Sequence, residues 1–240
     1  LPYHIGVIIR NRENLLLQTP QSLKSSLNLD VRTGHEVTGI DRQKHNVSVR
    51  KTETGQTYAE NYDKLVLCPG ASPFRPPIPG VDHPSIFVLR NFDDMDRINR
   101  KIEAGAKSAI VIGGGYIGVE KAENLCHRGL GVDLVEMLDQ LIPPLDKEMA
   151  RDIENHMTLH GVRLHLSATA AAFRDASGQI SAELKSGKVL KADLCILSVG
   201  VKPETALAVQ AGLELGPRGG IKVNSRMQTS DPDIYAAPLT

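Results

Sequence analysis

Residues 111–120, VIGGGYIGVE, place a glycine-rich turn between a buried-strand pattern and a helix pattern. The run that leads into the turn, SAIVIGG, is continuously apolar, which is typical of a strand inside a parallel sheet. YIGVEKAENLCHRG then has apolar residues at helical spacing and ends at Gly129, a suitable C-cap, before a second buried strand in GVDLVEML. Strand, turn, helix and strand within about 30 residues predict a βαβ unit, and therefore an α/β fold.

The turn has the spacing Gly113-x-Gly115-x-x-Gly118, which suits the phosphates of a dinucleotide. Gly113 permits a tight turn, Gly115 lets a pyrophosphate approach the backbone, and Gly118 lets the helix pack close to the strand. The free N–H groups and the positive dipole end at the start of the helix attract phosphate. A lone GxGxxG also occurs where a turn only needs a positive φ, but the flanking strand and helix favour a dinucleotide site.

Glu136, at the end of the second strand, indicates which dinucleotide binds. A carboxylate at this position accepts hydrogen bonds from the adenosine ribose hydroxyls and repels a 2′-phosphate. No Arg or Lys lies between Glu136 and Lys147 to neutralise such a phosphate, so the sequence favours NADH over NADPH. Gly200, after the last apolar strand, is a further position where the backbone could pass close to the nucleotide, although a simple turn explains it nearly as well.

The N-terminal stretch has a mixed pattern. A helix is predicted from residues 19–20, where proline suits the first helical turn. Two alternating runs around residues 53–55 predict a hairpin, and residues 65–67 form an apolar strand pattern. Five prolines within residues 69–79 exclude a helix there. This connector and the helical pattern DDMDRINRKIEAG place a domain boundary near Gly105.

Composition and charge exclude some classes of partner. The 240 residues include 28 Lys and Arg and 28 Asp and Glu, and this zero formal charge gives no electrostatic reason to expect nucleic acid or an anionic membrane. No apolar run reaches the roughly 20 residues needed to span a bilayer. Three widely spaced cysteines fit a reducing compartment, so we expect a cytoplasmic protein.

The remaining reactive side chains are weaker candidates. Cys126 and Cys195 lie in apolar patterns and are expected to be buried thiols. Cys68 precedes Pro-Gly and is interpreted as a buried strand end, with a nucleophilic role as the alternative. His156 and His160 are spaced to share one helix face, but no third ligand is in view, so no metal site is predicted.

Several spaced motifs together resemble those of the FAD-dependent pyridine nucleotide–disulfide oxidoreductases. They are GGGYIGVEKAENL, GVDLVEMLDQLIPPLDKEMA, LVLCPGASPFRPPIPG, LRNFDDMDRI and the stretch from LSVGVKPET to SDPDIYAA. The resemblance runs from Leu1 to Ala237 and is closest to the branch of coenzyme A-disulfide reductases, NADH oxidases and NADH peroxidases. It implies a Rossmann-like three-layer NADH-binding domain inserted in a partial FAD-binding domain, in a protein that is usually a homodimer.

The resemblance also implies domain bounds and cofactors. Residues 1–104 would be part of the FAD-binding domain, 105–226 the NADH-binding domain, and 227–240 the start of the return to the FAD-binding domain. NADH and FAD are the implied cofactors of the parent protein. Small disulfides, peroxide or oxygen are the implied electron acceptors.

The same resemblance assigns further residues to the cofactors. These residues are Val37, Pro69, Gly70, Tyr116, Ile117 and Glu120. Tyr116 and Ile117 would lie between the nicotinamide and the flavin, with Glu120 near the nicotinamide. Val37 would lie near the FAD adenine, and the Pro-Gly turn beside the flavin. From the residues alone, Tyr116 could instead be an aromatic side chain that packs on the sheet.

The chain also departs from the family pattern. The family's redox cysteine would precede Leu1, so no catalytic residue is assigned, and both ends are expected to be those of an internal piece of a larger protein. Lys121 stands where the family usually has an apolar helix residue. The segment 236–240, AAPLT, replaces a family segment whose aspartate contacts FAD.

The implied function of the parent protein is hydride transfer from NADH through FAD to a disulfide resembling coenzyme A disulfide, a peroxide or oxygen. The chain alone is expected to bind NADH without turnover. The other hypothesis is a stand-alone, non-catalytic NADH-binding module or an inactive remnant.

Overall fold

The structure is a computed structural model in which residues 1–237 are described. Its helices are α1 (Pro2–Ile5), α2 (Pro20–Leu27), α3 (Phe92–Glu103), α4 (Tyr116–His127), α5 (Lys147–Leu159) and α6 (Ala206–Gln210), with a 3₁₀ helix at Arg12–Leu15. Its strands are β1 (His35–Asp41), β2 (Asn46–Lys51), β3 (Thr57–Asn61), β4 (Leu65–Leu67), β5 (Ala71–Pro73), β6 (Ile86–Phe87), β7 (Ser108–Ile112), β8 (Gly131–Val135), β9 (Val162–His165), β10 (Ala170–Ala176), β11 (Gln179–Leu184), β12 (Val189–Ala192), β13 (Leu194–Leu197), β14 (Val201–Pro203) and β15 (Ile234–Ala236).

Contacts divide the chain into two compact units. Unit 1 comprises Leu1–Leu15 and Pro73–Val201, and unit 2 comprises Leu16–Ser72 and the residues from Lys202 onward. Each unit is therefore formed by two separate stretches of the chain.

Unit 1 is built on a parallel sheet. Among its described residues, five strands pair in the order β6-β13-β7-β8-β9, each parallel to its neighbours. The predicted βαβ unit is β7, α4 and β8, and β10, β11 and β12 form a separate antiparallel sheet. The prediction of an α/β fold with a parallel sheet is confirmed.

The two faces of the parallel sheet bury different cores. Ala109 and Val111 of β7 belong to a cluster that includes side chains of α3, α4 and α5. Ile110 and Ile112 belong to a second cluster, shared with β10, β11 and β12. Because successive strand residues point to opposite faces and both faces are covered, β7 is apolar along almost its whole length. Helices, parallel sheet and antiparallel sheet make the predicted three layers.

Asp193 joins the β12–β13 connection to the start of β7. Its Oδ2 accepts hydrogen bonds from the backbone N–H groups of Lys107 and Ser108 at 2.8 and 2.9 Å, and from the Ser108 hydroxyl at 2.8 Å. Its Oδ1 accepts one from the Gln179 amide at 3.0 Å. Burial alone would raise the pKa of Asp193, but these hydrogen bonds outweigh burial and lower the pKa to about 2. The ionised carboxylate thus holds β7 beside β13.

α3 packs in the same core as β7. The helix begins at its N-cap Asn91, whose side chain accepts a hydrogen bond from a backbone N–H of the first turn. Met95 and Ile98 have no exposed surface and lie in the helix-side core cluster. Arg12 forms an ion pair with Asp96 at 3.1 Å, which links the N-terminal segment to α3.

Unit 2 contains the predicted helix and hairpin. Thr19 caps α2 by accepting a hydrogen bond from the Ser22 backbone N–H at 3.1 Å. β1, β2 and β3 form an antiparallel sheet, and β4 pairs in parallel with β15. The prediction that Cys68 is a buried strand end is wrong, since Cys68 is exposed. Leu67 fills the buried position at the end of β4, and the following side chain points away from that core.

The predicted domain bounds at 104/105 and 226/227 stay a prediction. Contacts divide the chain after Leu15, Ser72 and Val201, because α3 and β6 pack with the parallel sheet of unit 1. The last three residues of the predicted return segment, 238–240, lie outside the described residues.

Candidate dinucleotide site

The three motif glycines are packed differently from one another. Gly113 has a φ of +106°, and a Cβ there would overlap the carbonyl oxygen of Ser198. A Cβ at Gly118 would overlap the carbonyl oxygen of Gly113, so α4 approaches β7 at a distance that only glycine allows. A Cβ at Gly115 would meet no atom within 4 Å. The open side of the turn is therefore at Gly115, the residue predicted to face a pyrophosphate.

α4 begins directly at this turn. Gly115 is its N-cap and supplies no side-chain hydrogen bond, and Tyr116 is its first residue. The first N–H groups of a helix have no partner within the helix, and they carry the positive end of its dipole. A phosphate on the open side of the turn would accept hydrogen bonds from these groups.

Glu136 follows β8 and is buried, with 8% of its surface exposed. Its Oε2 accepts a hydrogen bond from the Gly114 backbone N–H at 2.5 Å, and its Oε1 accepts one from the Leu138 backbone N–H at 2.8 Å. The carboxylate thus joins the end of β8 to the glycine-rich turn. Each oxygen has a further lone pair to which a ribose hydroxyl could donate. Ribose binding by Glu136 stays a prediction.

A cavity of about 440 Å³ lies beside the turn, within unit 1. Its polar edge is formed by Gly113, Gly115, Glu136 and Ser198. Much of its apolar wall is formed by Phe74, Pro76, Ile78, Met137, Pro143 and Val199. The cavity lies at the carboxyl ends of β7, β8 and β13, where ligands bind to parallel sheets. Its volume and its mainly apolar lining with a few polar groups are typical of small-molecule sites.

The residues assigned to the nicotinamide lie on the first turns of α4. Tyr116 and Ile117 are 60% and 56% exposed, so Tyr116 does not pack on the sheet as the alternative reading proposed. Glu120 is half-buried on the next turn. Gly200 has a φ of +96°, and a Cβ there would meet no atom within 4 Å. Contact of these four residues with the dinucleotide stays a prediction.

The residues assigned to the flavin lie in unit 2. Val37 is on β1 with 36% of its surface exposed, and Pro69 is exposed. Gly70 has a φ of +74°, and its carbonyl oxygen accepts a hydrogen bond from the Glu204 backbone N–H at 3.0 Å. An exposed apolar side chain and a positive-φ glycine fit contact with a flat ring and close approach of backbone. Flavin contact by these residues stays a prediction.

Two side chains near the turn were given no role from the sequence. Ser198 lines the cavity as the first residue after β13, and the rule that ligands lie at the carboxyl ends of parallel strands could have found it. Lys121 is 4% exposed, and its Nζ donates a hydrogen bond to the Ser198 Oγ at 3.0 Å. Nothing in the sequence separates a buried lysine on an amphipathic helix from a solvated one.

The other reactive side chains do not form a second site. His156 and His160 have ring centroids 4.1 Å apart, but within residues 1–237 no group of three or more His, Cys, Asp or Glu side chains could hold a metal ion. Cys195 is fully buried as predicted, and burial raises the pKa of its thiol. Cys126 is only half-buried, and its thiol donates to the His160 carbonyl oxygen. No helix in the described part of the chain is long and apolar enough to cross a membrane.

The chain is similar to known proteins along nearly its whole length. Residues 6–237 match the family described as Pyridine nucleotide-disulphide oxidoreductase. An NADH oxidase from Enterococcus faecalis is 35% identical over 236 residues, which cover 98% of this chain and 52% of that protein. A coenzyme A disulfide reductase from Staphylococcus aureus is 33% identical over 237 residues, with 98% and 52% covered. The chain thus spans about half the length of the curated relatives it matches.

Solved structures are similar as well. The reduced CoADR-RHD from Bacillus anthracis matches with a TM-score of 0.93 and 46% identity, over 98% of this chain and 42% of that one. The water-forming NADH oxidase from Lactobacillus brevis, solved with NADH bound, matches with a TM-score of 0.88 and 30% identity, over 99% of this chain and 53% of that one.

Proposed function

Because the chain belongs to the pyridine nucleotide-disulphide oxidoreductase family, whose members depend on FAD and NAD(H), we propose that it is the NADH-binding part of a flavin-dependent oxidoreductase. The parent protein passes hydride from NADH through FAD to an acceptor. The acceptor is a disulfide resembling coenzyme A disulfide, a peroxide or oxygen. Relatives named NADH oxidase and coenzyme A disulfide reductase support this set of acceptors.

One observation carries the proposal of NADH binding. The glycine-rich turn is closed by packing at Gly113 and Gly118 and open at Gly115, and the open side adjoins the 440 Å³ cavity. A turn that only reversed the chain direction would need no open glycine at the N-cap of a helix. An open N-cap with free N–H groups fits a pyrophosphate that approaches the backbone.

The residues of unit 1 then have distinct roles. The first N–H groups of α4 bind the pyrophosphate, and Glu136 accepts hydrogen bonds from the ribose hydroxyls and disfavours a 2′-phosphate. Tyr116 and Ile117 offer exposed apolar surface to the nicotinamide and exclude water from it, with Glu120 beside them. Gly200 lets the backbone approach the nucleotide. FAD, when bound, supplies the acceptor for the hydride, and orientation is the contribution of the protein.

The remaining partner assignments are also proposals. A homodimer is supported by the family resemblance, and the zero formal charge supports the expectation that neither nucleic acid nor a membrane is a partner. A cytoplasmic location is supported by three cysteines, none of which is in a disulfide.

Calorimetric titration of the purified chain with NADH tests the binding function. Saturable binding that Gly115→Ala weakens supports it, and absence of NADH binding contradicts it. The acceptor is tested by following NADH consumption with added FAD and with coenzyme A disulfide, peroxide and oxygen in turn. Because the chain alone is expected to bind NADH without turnover, consumption with any of them would identify the acceptor and overturn that expectation.

A further inference from the structure

Lys121 is a buried cation beneath the glycine-rich turn. It lies on the face of α4 that packs on the parallel sheet, next to the buried residues Gly118 and Ala122, and only 4% of its surface is exposed. Helical side chains lean toward the N-terminus of their helix, so Lys121 covers the turn of α4 that contains Gly118. Its ammonium group is thus directed toward the end of the helix where a phosphate would bind.

The ammonium group has little compensation within unit 1. Within residues 1–237, its one hydrogen bond is to the Ser198 Oγ, and it forms no ion pair with a carboxylate. Burial lowers the pKa of Lys121 to about 8, and Glu120 of α4 and Asp94 of α3 oppose this shift from a distance. A desolvated cation with one neutral partner lowers stability. A bound anion near the ammonium group would offset that cost.

Ser198 connects Lys121 to the site. Its backbone N–H donates to the Ile112 carbonyl oxygen at 2.7 Å, and its own carbonyl oxygen occupies the space beside Gly113 that a side chain would need. Its Cβ lies 3.4 Å from the place of a Cβ at Gly118. Ser198 therefore touches both ends of the glycine-rich turn and lines the cavity, while its hydroxyl accepts the hydrogen bond from Lys121.

We propose that Lys121 is a positioning residue of the dinucleotide site, which fixes Ser198 against the glycine-rich turn and supplies positive charge behind the pyrophosphate. The inference rests on the proposed function, since it takes NADH as the ligand. It adds a buried positive charge to the pyrophosphate-binding part of the site, which the proposed function otherwise builds from backbone N–H groups and a helix dipole. The charge is present while the amine is protonated and is lost as the pH rises through the pKa of Lys121.

The test compares Lys121→Met with the unmodified chain and with Lys191→Met, an exposed lysine of β12. Calorimetry gives the Kd for NADH at pH 7 and pH 9.5, and thermal melts give stability. We expect Lys121→Met to bind NADH about tenfold more weakly at pH 7, to lose the weakening that the unmodified chain shows at pH 9.5, and to melt at the same or a higher temperature. Lys191→Met should match the unmodified chain.

Two results would overturn the inference. One is a Lys121→Met variant that binds NADH as tightly as the unmodified chain at pH 7. The other is a variant that melts at a lower temperature and keeps the pH dependence of binding, which is the behaviour of a purely structural residue. Ser198→Ala keeps the ammonium group and removes its partner, so it should weaken binding by less and keep the pH dependence. If the unmodified chain does not bind NADH, the proposed function fails and the inference falls with it.

Discussion

The carboxylate of Glu136 accepts a hydrogen bond from the backbone N–H of Gly114, with Oε2 and N 2.5 Å apart. The bond joins the end of β8 to the middle of the glycine-rich turn, and Glu136 also lines the cavity. A residue predicted as a ribose ligand is therefore also part of the scaffold that shapes the turn. The two roles are compatible, because a carboxylate accepts more hydrogen bonds than the backbone provides here.

Glu136→Ala should weaken NADH binding about tenfold and narrow the preference for NADH over NADPH. It removes the acceptor for the ribose hydroxyls, and it also removes the charge that repels a 2′-phosphate. Calorimetric titration with each dinucleotide measures both effects. Glu123→Ala, on the exposed side of α4, is the matched control. Equal affinity of the unmodified chain for NADH and NADPH would show that Glu136 does not select the nucleotide.

Gly115→Ala and Gly118→Ala should separate binding from folding. A Cβ at Gly115 meets no protein atom, so this variant should melt as the unmodified chain does and yet lose most of its NADH affinity. A Cβ at Gly118 overlaps the Gly113 carbonyl oxygen, so Gly118→Ala should lower the free energy of unfolding by about 2 kcal/mol or more. Thermal melts and NADH titrations of both variants provide the comparison. A Gly115→Ala variant with unchanged affinity would rule out close approach of the pyrophosphate.

The parts of the site that depend on local pattern could be predicted from the sequence. β7, the glycine-rich turn, α4 and β8 were all found, because their periodicity and glycine spacing are local properties. The family resemblance seen in the motifs, the α/β fold and the family's two cofactors are confirmed by the comparisons. Exposure of Cys68 and burial of Lys121 depend on which neighbour occupies a core position, and a single sequence does not contain that information.

Asp193→Asn should lower stability above pH 4 and have little effect near pH 2. The folded-state pKa of Asp193 lies near 2, below the ordinary value of 3.8, so its contribution is complete above pH 4 and is lost as the pH falls toward 2. Because the carboxylate is partly solvated, we expect Asp193→Asn to lower the free energy of unfolding by about 1 kcal/mol at pH 7. Urea unfolding at a series of pH values measures the difference. A difference in unfolding free energy between the two proteins that is as large at pH 2 as at pH 7 would contradict a lowered pKa of Asp193.

Relative to Lys121→Met, the stability of the unmodified chain should rise between pH 8 and pH 10.5, since the raised pKa of Cys195 affects both proteins equally. Lys121 has a folded-state pKa near 8 and an ordinary value of 10.5, so in this interval the unfolded chain binds more protons than the folded one. The gain is at most about 3 kcal/mol. Lys121→Met should lack the rise and be more stable than the unmodified chain at pH 7. Urea unfolding midpoints of both proteins from pH 8 to pH 10.5 measure this difference in stability. Identical pH profiles for the two proteins would argue against a buried ammonium group.

The predicted NADH-binding domain, residues 105–226, should give a cooperative thermal melt on its own. A fragment of residues 73–201 should melt at a higher temperature, because it keeps Met95 and Ile98 of α3 in the helix-side core. Each fully buried apolar side chain contributes about 2 kcal/mol. Calorimetric melts give the melting temperatures of the two fragments, which are then compared. If the fragment of residues 105–226 is the more stable of the two, the result supports the predicted boundary at 104/105.

Thiol labelling of Cys195, compared with that of Cys68, can measure opening of the parallel sheet of unit 1. The Cys195 thiol lies in the middle of β13 with no exposed surface and a raised pKa, so a thiol-specific reagent can reach it only when the parallel sheet separates. Cys68 is accessible in the native state and marks the reagent's intrinsic speed. The ratio of the Cys195 labelling rate to the Cys68 labelling rate thus measures how often unit 1 opens cooperatively. NADH, if it binds at the end of the same sheet, should slow the Cys195 reaction and leave that of Cys68 unchanged.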